Sequence, residues 1–169
     1  MPERRASGGE PVASRPSMPG YGILPANAGG GLLPWDWAVE RLQRAHNYWV
    51  ATTRPDGSPH LAAVWGVWFD GAVCFSTGGR SRKARNLAAD PRVAVHLESG
   101  DDAVMLEGTA ERPSLDAAAH GRVVAAYAAK YDMKPEDLPG PEGWYALRAS
   151  RAFAWQERDF PNTATRWRF

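Results

Sequence analysis

The sequence has little of what would mark a secreted, membrane-spanning or metal-binding protein. Its single cysteine, Cys74, lies in an apolar run, has no partner for an internal disulfide and is typical of a buried thiol in a reducing compartment. The four histidines form no cluster with the spacing of metal ligands, so no metal site is predicted. No apolar segment is long enough to span a bilayer, and the N-terminus lacks the apolar core of a secretory signal. We therefore expect a cytoplasmic protein that has no membrane partner.

The chain also lacks a strong excess of either charge. Its 20 Lys and Arg residues against 19 Asp and Glu residues give a formal net charge of +1. A chain this close to neutrality has no general attraction for nucleic acid, so no nucleic-acid partner is predicted despite a basic helix and many aromatic residues. No catalytic triad, carboxylate pair or activated cysteine is recognisable, so the sequence identifies no nucleophilic enzyme class.

The patterning divides the 169 residues into one folded domain and two terminal segments. Residues 1–33 are rich in Gly, Pro, Ala and Ser with little periodic hydrophobicity, which indicates a flexible or loosely docked N-terminal arm. Residues 34–158 carry the regular apolar patterns of a folded domain. Residues 159–169 form a C-terminal tail.

Within the domain, short antiparallel strands dominate the predicted structure. Arg54–Gly57 and Asp70-Gly71 are hairpin turn signals between apolar runs, because Pro presets one dihedral and Gly accepts a positive φ. Gly108, inside a predicted strand, marks a bulge or a close backbone approach. Helices are expected at residues 34–44, 80–89 and 114–131, the last with Ser114 as its N-cap. This pattern predicts a small, mainly β, antiparallel barrel with helices.

The most informative stretch runs from Phe75 to Pro91. An apolar strand leads into two hydroxyl residues, the pair Gly78-Gly79 and a strongly basic helix start. Glycines let backbone N–H groups approach a ligand, and a helix N-terminus adds unpaired donors and a positive dipole end. We interpret the stretch as a pocket for a phosphate or another compact anion. The alternative left open is that the basic residues form only the solvated face of an amphipathic helix, as we expect for Arg85.

Three segments, residues 51–65, 75–87 and 90–93, resemble the split-barrel flavin and deazaflavin oxidoreductases related to pyridoxamine 5′-phosphate oxidase. The resemblance extends over roughly residues 45–155, and residues 75–87 are its most specific part. It implies a six-stranded antiparallel split barrel that forms a homodimer and holds FMN or coenzyme F-420, a deazaflavin, at the subunit interface. A second phosphate-binding motif like that of the pyridoxamine phosphate oxidases is not found, so we do not expect oxidation of pyridoxine vitamers.

The resemblance also implies which residues bind the cofactor. In such proteins, hydroxyl and basic residues after the third strand hold the cofactor phosphate, the second strand lies against the ring, and the end of the partner subunit completes the pocket. The corresponding residues are Ser76, Thr77, Arg80, Ser81, Lys83 and Asn86 for the phosphate; His60, Val64 and Trp65 for the ring; and Trp155, Arg166 and Trp167 for the contribution of the partner. For His60, two interpretations stay open: a proton donor to the substrate, and an exposed polar residue at the start of a strand.

The function implied is an oxidoreductase that moves a hydride from a reduced deazaflavin to a small unsaturated molecule, with the ring supplying the chemistry. The local excess of cations favours coenzyme F-420, whose phosphodiester and oligoglutamate tail carry more negative charge than FMN. The preference is modest, because each exposed ion pair contributes about 0–1 kcal/mol. Two alternatives remain: an FMN-dependent oxidoreductase, and a non-enzymatic split-barrel protein that binds a flavin or haem.

Overall fold

The computed structural model describes residues 10–169 and folds them into eight strands and four α-helices. The elements, in chain order, are β1 (Val12–Ser14), α1 (Trp35–Arg44), β2 (Asn47–Thr53), β3 (Pro59–Phe69), β4 (Ala72–Ser76), α2 (Arg82–Ala89), β5 (Arg92–His96), β6 (Asp102–Glu111), α3 (Ala117–Tyr131), β7 (Trp144–Gln156), α4 (Phe160–Thr163) and β8 (Thr165–Arg168). The three expected helices are present, and the strands fall in the expected runs.

Six strands close into an antiparallel barrel in the order β7-β4-β3-β2-β5-β6, with β6 pairing back onto β7. The 13-residue strand β7 makes this closure possible because it has two partners along one edge, β4 and then β8, and β6 along the other. Strand β1 extends the sheet beyond β8. The prediction of a six-stranded antiparallel split barrel is confirmed.

Strand alternation decides which side chains enter the barrel. In β2, Tyr48, Val50 and Thr52 are buried, whereas the residues between them are partly exposed. In the β2–β3 register, Tyr48 lies opposite Val64 and Thr52 lies opposite His60. His60 and Val64 therefore belong to the inward-facing set of β3.

Helix α2 begins two residues later than expected. Ser81 is its N-cap, since the Ser81 Oγ accepts a hydrogen bond from the Ala84 N–H at 3.1 Å. For α3, the predicted N-cap Ser114 is wrong. The helix starts at Ala117, because the Asp116 carboxylate accepts from the Ala119 N–H at 2.7 Å.

The described part of the predicted N-terminal arm, residues 10–33, contacts the C-terminal segment at several points. Ala13 pairs with Trp167 in the β1–β8 ladder. The Arg15 guanidinium donates to the backbone carbonyls of Asn162 and Ala164 at 2.8 and 2.9 Å. The predicted arm residues 1–9 lie outside the described residues.

Gly108 confirms both expectations made for it. The β6–β7 register shifts between Glu107 and Gly108, which is a bulge. A Cβ at Gly108 would collide with the Arg148 carbonyl oxygen and stand 2.9 Å from the Ala149 Cα, so β7 leaves no room for a side chain there.

The helices within residues 10–169 all fall short of the length and hydropathy that a membrane crossing requires.

Helix α3 packs against β3 through a half-buried amine. The Lys130 Nζ donates to the Gly66 carbonyl at 2.8 Å and to the Tyr48 hydroxyl at 3.2 Å. No carboxylate within residues 10–169 forms an ion pair with Lys130. Burial of the amine therefore lowers the pKa of Lys130 to about 8.

We expect this amine to make the folding stability depend on pH. The folded pKa of about 8 lies below the ordinary value of 10.5, so between these values the unfolded chain binds more protons. The free energy of unfolding therefore gains a contribution that rises with pH in this window. Cys74 contributes in the opposite direction. Burial raises the pKa of its thiol to about 11, so the unfolded thiol ionises at a lower pH than the folded one, and this contribution to stability falls as the pH rises.

The measurement is therefore a comparison of the wild type with Lys130→Met by urea unfolding from pH 7.5 to 9.5. The Cys74 contribution is common to both proteins. The stability of the wild type relative to the variant should increase with pH. Parallel pH profiles would contradict the assignment.

Candidate functional site

The turn between β4 and α2 is organised by its own hydroxyl groups. The Thr77 Oγ1 and Ser81 Oγ lie 3.0 Å apart, and the Ser81 N–H donates to the Gly78 carbonyl at 2.8 Å. A Cβ at Gly78 would meet no atom within 4 Å, so the surface above the turn is open. The structure thus brings together Thr77 and Ser81, with Ser76 at the end of β4, in an accessible turn at a helix N-terminus.

Cations surround His60 at the start of β3. Burial lowers the pKa of His60, and the charges of Arg54, Lys83 and Arg82 lower it further. Lys83 is itself partly buried, and this lowers the pKa of its amine. Arg54, Arg82 and Lys83 therefore form a cationic cluster that acts on His60.

Arg82 and Arg54 are members of this cluster that the sequence analysis did not select. Arg80, which the family resemblance selected, and Arg82 are both exposed in the structure. With Ser81 as the N-cap, Arg82 and Lys83 are the first two helical residues. Serine is a favoured N-cap residue, and the Ser81 Oγ accepts a hydrogen bond from the Ala84 N–H. This preference is the signal that could have located the helix start.

Asn86 faces the barrel interior. Its side chain is fully buried, and its Nδ2 donates to the Thr52 Oγ1 at 3.0 Å. Thr52 in turn lies 3.4 Å from the His60 Nδ1. Thr52 was not among the predicted site residues, although strand alternation puts it opposite His60. The Asn86 Oδ1 is buried and has no hydrogen-bond partner among residues 10–169.

The ring-contact candidates on β3 divide between two faces. Val64 is buried in the core, so only its backbone is available to a ligand. Trp65 is 44% exposed and stacks on Tyr131, with ring centroids 4.7 Å apart and planes 5° apart. Leu61, on the same outward face, is 52% exposed. The outward face of β3 therefore presents apolar surface near the basic turn.

The three candidates at the C-terminal end contact other parts of the chain. Trp155 packs edge-on against Phe160 at 5.4 Å between centroids. The Arg166 guanidinium donates to the Ser14 Oγ at 3.0 and 3.2 Å.

Trp167 is 1% exposed and packs against Trp35 in the core, so its ring has no free face for a ligand. Within one chain, these three side chains do not come together with the β4–α2 turn. Their contribution to a pocket in a partner subunit stays a prediction.

A groove of about 630 Å³ runs over β2, β5, β6 and β7 at the Gly108 bulge. Thr52 and Pro59 line it, so the groove reaches the β2–β3 end of the sheet, but the His60 side chain is not part of its wall. Three arginines also line it, each with an acidic neighbour: Arg92 with Asp90 at 2.7 Å, Arg151 with Glu107 at 3.6 Å and Arg148 with Asp70 at 3.8 Å. The hydrogen bonds from Arg92 hold the pKa of Asp90 down to about 2.

Among the described residues, no group of three or more His, Cys, Asp or Glu side chains is arranged to hold a metal ion.

The closed six-stranded antiparallel barrel, with a basic turn leading into the short helix α2, defines a protein of the split-barrel class. Residues 35–156 match the family model of pyridoxamine 5′-phosphate oxidase. Because the match covers most of the chain, the protein belongs to this family, and the resemblance found in the sequence is confirmed. A comparison with curated proteins found no match.

Solved structures share the fold. The conserved hypothetical protein Rv2991 from Mycobacterium tuberculosis is 28% identical with a TM-score of 0.66, over 75% of this chain and 86% of that one. A haem-binding protein from Mycobacterium smegmatis is 24% identical with a TM-score of 0.54, over 75% and 59%. A protein described as an F420 reductase is 24% identical with a TM-score of 0.50, over 67% and 93%. At these identities, the last two similarities show the shared fold alone.

We predict that the pKa of His60 lies below 6.5 and that the Lys83→Met substitution raises it. Removing a nearby positive charge makes the imidazolium form less unfavourable. The pKa is measured by NMR titration of the imidazole protons in a buffer free of phosphate.

Arg85→Met is the matched control, because Arg85 is an exposed cation on the same helix and does not contribute to the lowered pKa of His60. It should leave the titration of His60 unchanged. An equal rise in both variants would show a general charge effect and no local cluster.

Proposed function

We propose that this chain is an oxidoreductase that binds reduced coenzyme F-420 and transfers a hydride to a small unsaturated substrate. The observation that carries the proposal is the cluster of His60, Arg82 and Lys83 beside the hydroxyl-rich turn at the N-terminus of α2. The membership of the chain in the pyridoxamine 5′-phosphate oxidase family supports a flavin-type cofactor.

The residues of the turn fit a phosphate group. Arg82 and Lys83 supply full positive charges, and the first turn of a helix leaves backbone N–H groups without intrahelical acceptors. The half-buried position of Lys83 reduces solvent screening of its charge. A phosphate would therefore replace the water lost by the amine with charge-assisted hydrogen bonds.

The arginine-lined groove favours coenzyme F-420 over FMN. The groove begins at Thr52 and Pro59, and Arg92, Arg148 and Arg151 also line it. Coenzyme F-420 carries an oligoglutamate tail beyond its phosphodiester, and such a tail would meet these guanidinium groups in turn. FMN ends at its single phosphate and would leave the groove unused. Each exposed pair adds only about 0–1 kcal/mol, so several must act together.

We further propose that the protein works as a homodimer. Leu61 and Trp65 expose apolar surface on the outward face of β3, and Trp49 of β2 stacks there on His96 at 6.2 Å between centroids. A second copy on this face would bury the apolar surface and exclude water from a ring lying along β3. The expected contributions of Trp155 and Arg166 would then come across the interface.

When bound, the reduced deazaflavin supplies the hydride, and the task of the protein is to orient and desolvate the reactants. The cationic cluster anchors the phosphate end, and the apolar face of β3 fixes the plane of the ring. His60 acts in this site as a neutral hydrogen-bond donor and not as an acid, because its lowered pKa leaves the imidazole uncharged at neutral pH. The proton-donor interpretation of His60 is therefore the weaker one.

Two alternatives use the same surface. The β4–α2 turn alone satisfies a single phosphate, which is the observation that favours an FMN-dependent oxidoreductase. A non-enzymatic protein that binds a flavin or haem is the other alternative, and a haem-binding protein shares the fold.

We predict that Arg82→Ala and Lys83→Ala each weaken the binding of both FMN and coenzyme F-420 by about 1–3 kcal/mol, through lost charge-assisted hydrogen bonds. Binding is followed by the quenching of tryptophan fluorescence. Arg85→Ala serves as the control of equal charge.

The double variant Arg148→Ala/Arg151→Ala should instead weaken the binding of coenzyme F-420 and leave that of FMN unchanged. Tighter binding of FMN than of F-420 by the wild type, or equal losses of both cofactors in the double variant, would reverse the choice of cofactor.

The activity itself is tested by mixing the protein with reduced coenzyme F-420 and a panel of enones, quinones and tetrapyrroles. We expect the deazaflavin absorbance to return with at least one acceptor, and the rate to fall in Lys83→Ala at subsaturating cofactor. Binding of the cofactor without oxidation by any acceptor would support the non-enzymatic alternative.

A further inference from the structure

A chain of buried polar groups connects α2 to His60. Asn86 is 0% exposed and Thr52 is 3% exposed. The Asn86 Nδ2 lies 3.0 Å from the Thr52 Oγ1, which lies 3.4 Å from the His60 Nδ1. Buried polar groups at this depth are costly unless each finds a partner. The direction of each hydrogen bond is therefore constrained.

The hydroxyl of Thr52 has one hydrogen to donate. The Asn86 amide nitrogen can only donate, so it occupies a lone pair of the Thr52 oxygen. Among residues 10–169, the His60 Nδ1 at 3.4 Å is the acceptor available to the hydroxyl hydrogen. If a protonated Nδ1 donated to the second lone pair instead, the buried hydroxyl hydrogen would have no acceptor. An accepting Nδ1 carries no proton, so the proton of the neutral ring is on Nε2.

The opposite direction of these hydrogen bonds would be less favourable. If the Asn86 amide were turned so that its oxygen faced Thr52, both hydrogens of the amide nitrogen would be buried without acceptors. In the orientation found, the unpaired atom is the Oδ1 acceptor. Unpaired buried donors are rarer in proteins than under-satisfied carbonyl oxygens, so the orientation found is the favourable one.

The charged neighbours of His60 also favour the neutral form of its ring. Arg54 approaches from the β2–β3 turn, and Arg82 and Lys83 approach from α2. All three are cations, so they oppose protonation of the ring, and burial opposes it too. A neutral ring with its proton on Nε2 presents a single N–H donor on the side away from Thr52.

We propose that Thr52 and Asn86 are positioning residues that hold His60 in the Nε2–H tautomer, so that the ring donates a hydrogen bond to an anionic ligand beside Arg82 and Lys83. The ligand contact rests on the proposed function, whereas the tautomer does not. This arrangement gives the site a donor that adds no charge and does not change as the pH rises above neutrality.

The first test is the tautomer of His60 in the ligand-free wild-type protein, measured by two-dimensional ¹H–¹⁵N NMR of the imidazole at pH 7.5. We expect a protonated Nε2 and an unprotonated Nδ1. A protonated Nδ1 would overturn the proposal, whether or not any cofactor binds.

The second test compares Thr52→Val with Thr52→Ser. Val has nearly the shape of Thr but no hydroxyl, and Ser keeps the hydroxyl. In Thr52→Val we expect the two tautomers to become mixed and the affinity for FMN, used as the phosphate-bearing probe, to fall roughly three- to tenfold, as for one lost hydrogen bond. Thr52→Ser should keep both properties close to those of the wild type.

The two readouts separate this inference from the proposed function. Unchanged tautomer populations in Thr52→Val would contradict the proposal that Thr52 fixes the tautomer of His60. If the wild type shows the expected tautomer but binds neither FMN nor coenzyme F-420, the proposed function fails and the positioning role of Thr52 stands. Should Thr52→Val fail to fold, the wild-type tautomer alone decides.

Discussion

The architecture depends on the long pairing between β6 and β7, which closes the barrel. It extends from Asp102 opposite Gln156 to Glu111 opposite Ala146, and it passes the crowded point at Gly108 where only a hydrogen atom fits. The bulge there shifts the register by one residue, and the pairing continues on both sides of it. Closure in turn fixes the positions of β2 and β3, and thereby the packing surface for α2.

The candidate site is a product of that packing. Helix α2 brings the amphipathic pattern of a surface helix, but one of its inward positions is the polar Asn86. This amide can be buried because Thr52 accepts from it. In the packed position of α2, the charges of Arg82 and Lys83 lower the pKa of His60, whereas Arg85 does not contribute to it. The packing of the helix thus decides which of its cations act on His60.

Much of this was predictable from local chemistry. Turn residues and strand alternation indicated the barrel, and the order of hydroxyls, glycines and cations after β4 indicated the accessible basic turn that is the candidate anion site. The family resemblance selected Arg80 and Lys83, whereas the effect of the Arg82 charge on His60 became apparent only in the folded structure. The start of α2 was placed two residues too early.

Other features depended on contacts between distant parts of the chain. The three-residue strand β1 and the four-residue strand β8 are too short to show a period. Their pairing joins residues that are separated by most of the chain, and no local sequence pattern predicts such a long-range contact. The burial of Trp167 and the bond between Thr52 and Asn86 likewise become visible only once the register is known.

The pairing of β1 with β8 has a consequence for the solubility of the folded protein. Without β1, the backbone N–H and C=O groups along the outer side of β8 would form an open sheet edge, a ready template for a strand from another molecule. Val12–Ser14 covers that edge, and the guanidinium of Arg15 fastens it to the carbonyls just before β8. The edge of the sheet is then β1 itself, and a strand of three residues is too short to be a good template for edge-to-edge pairing.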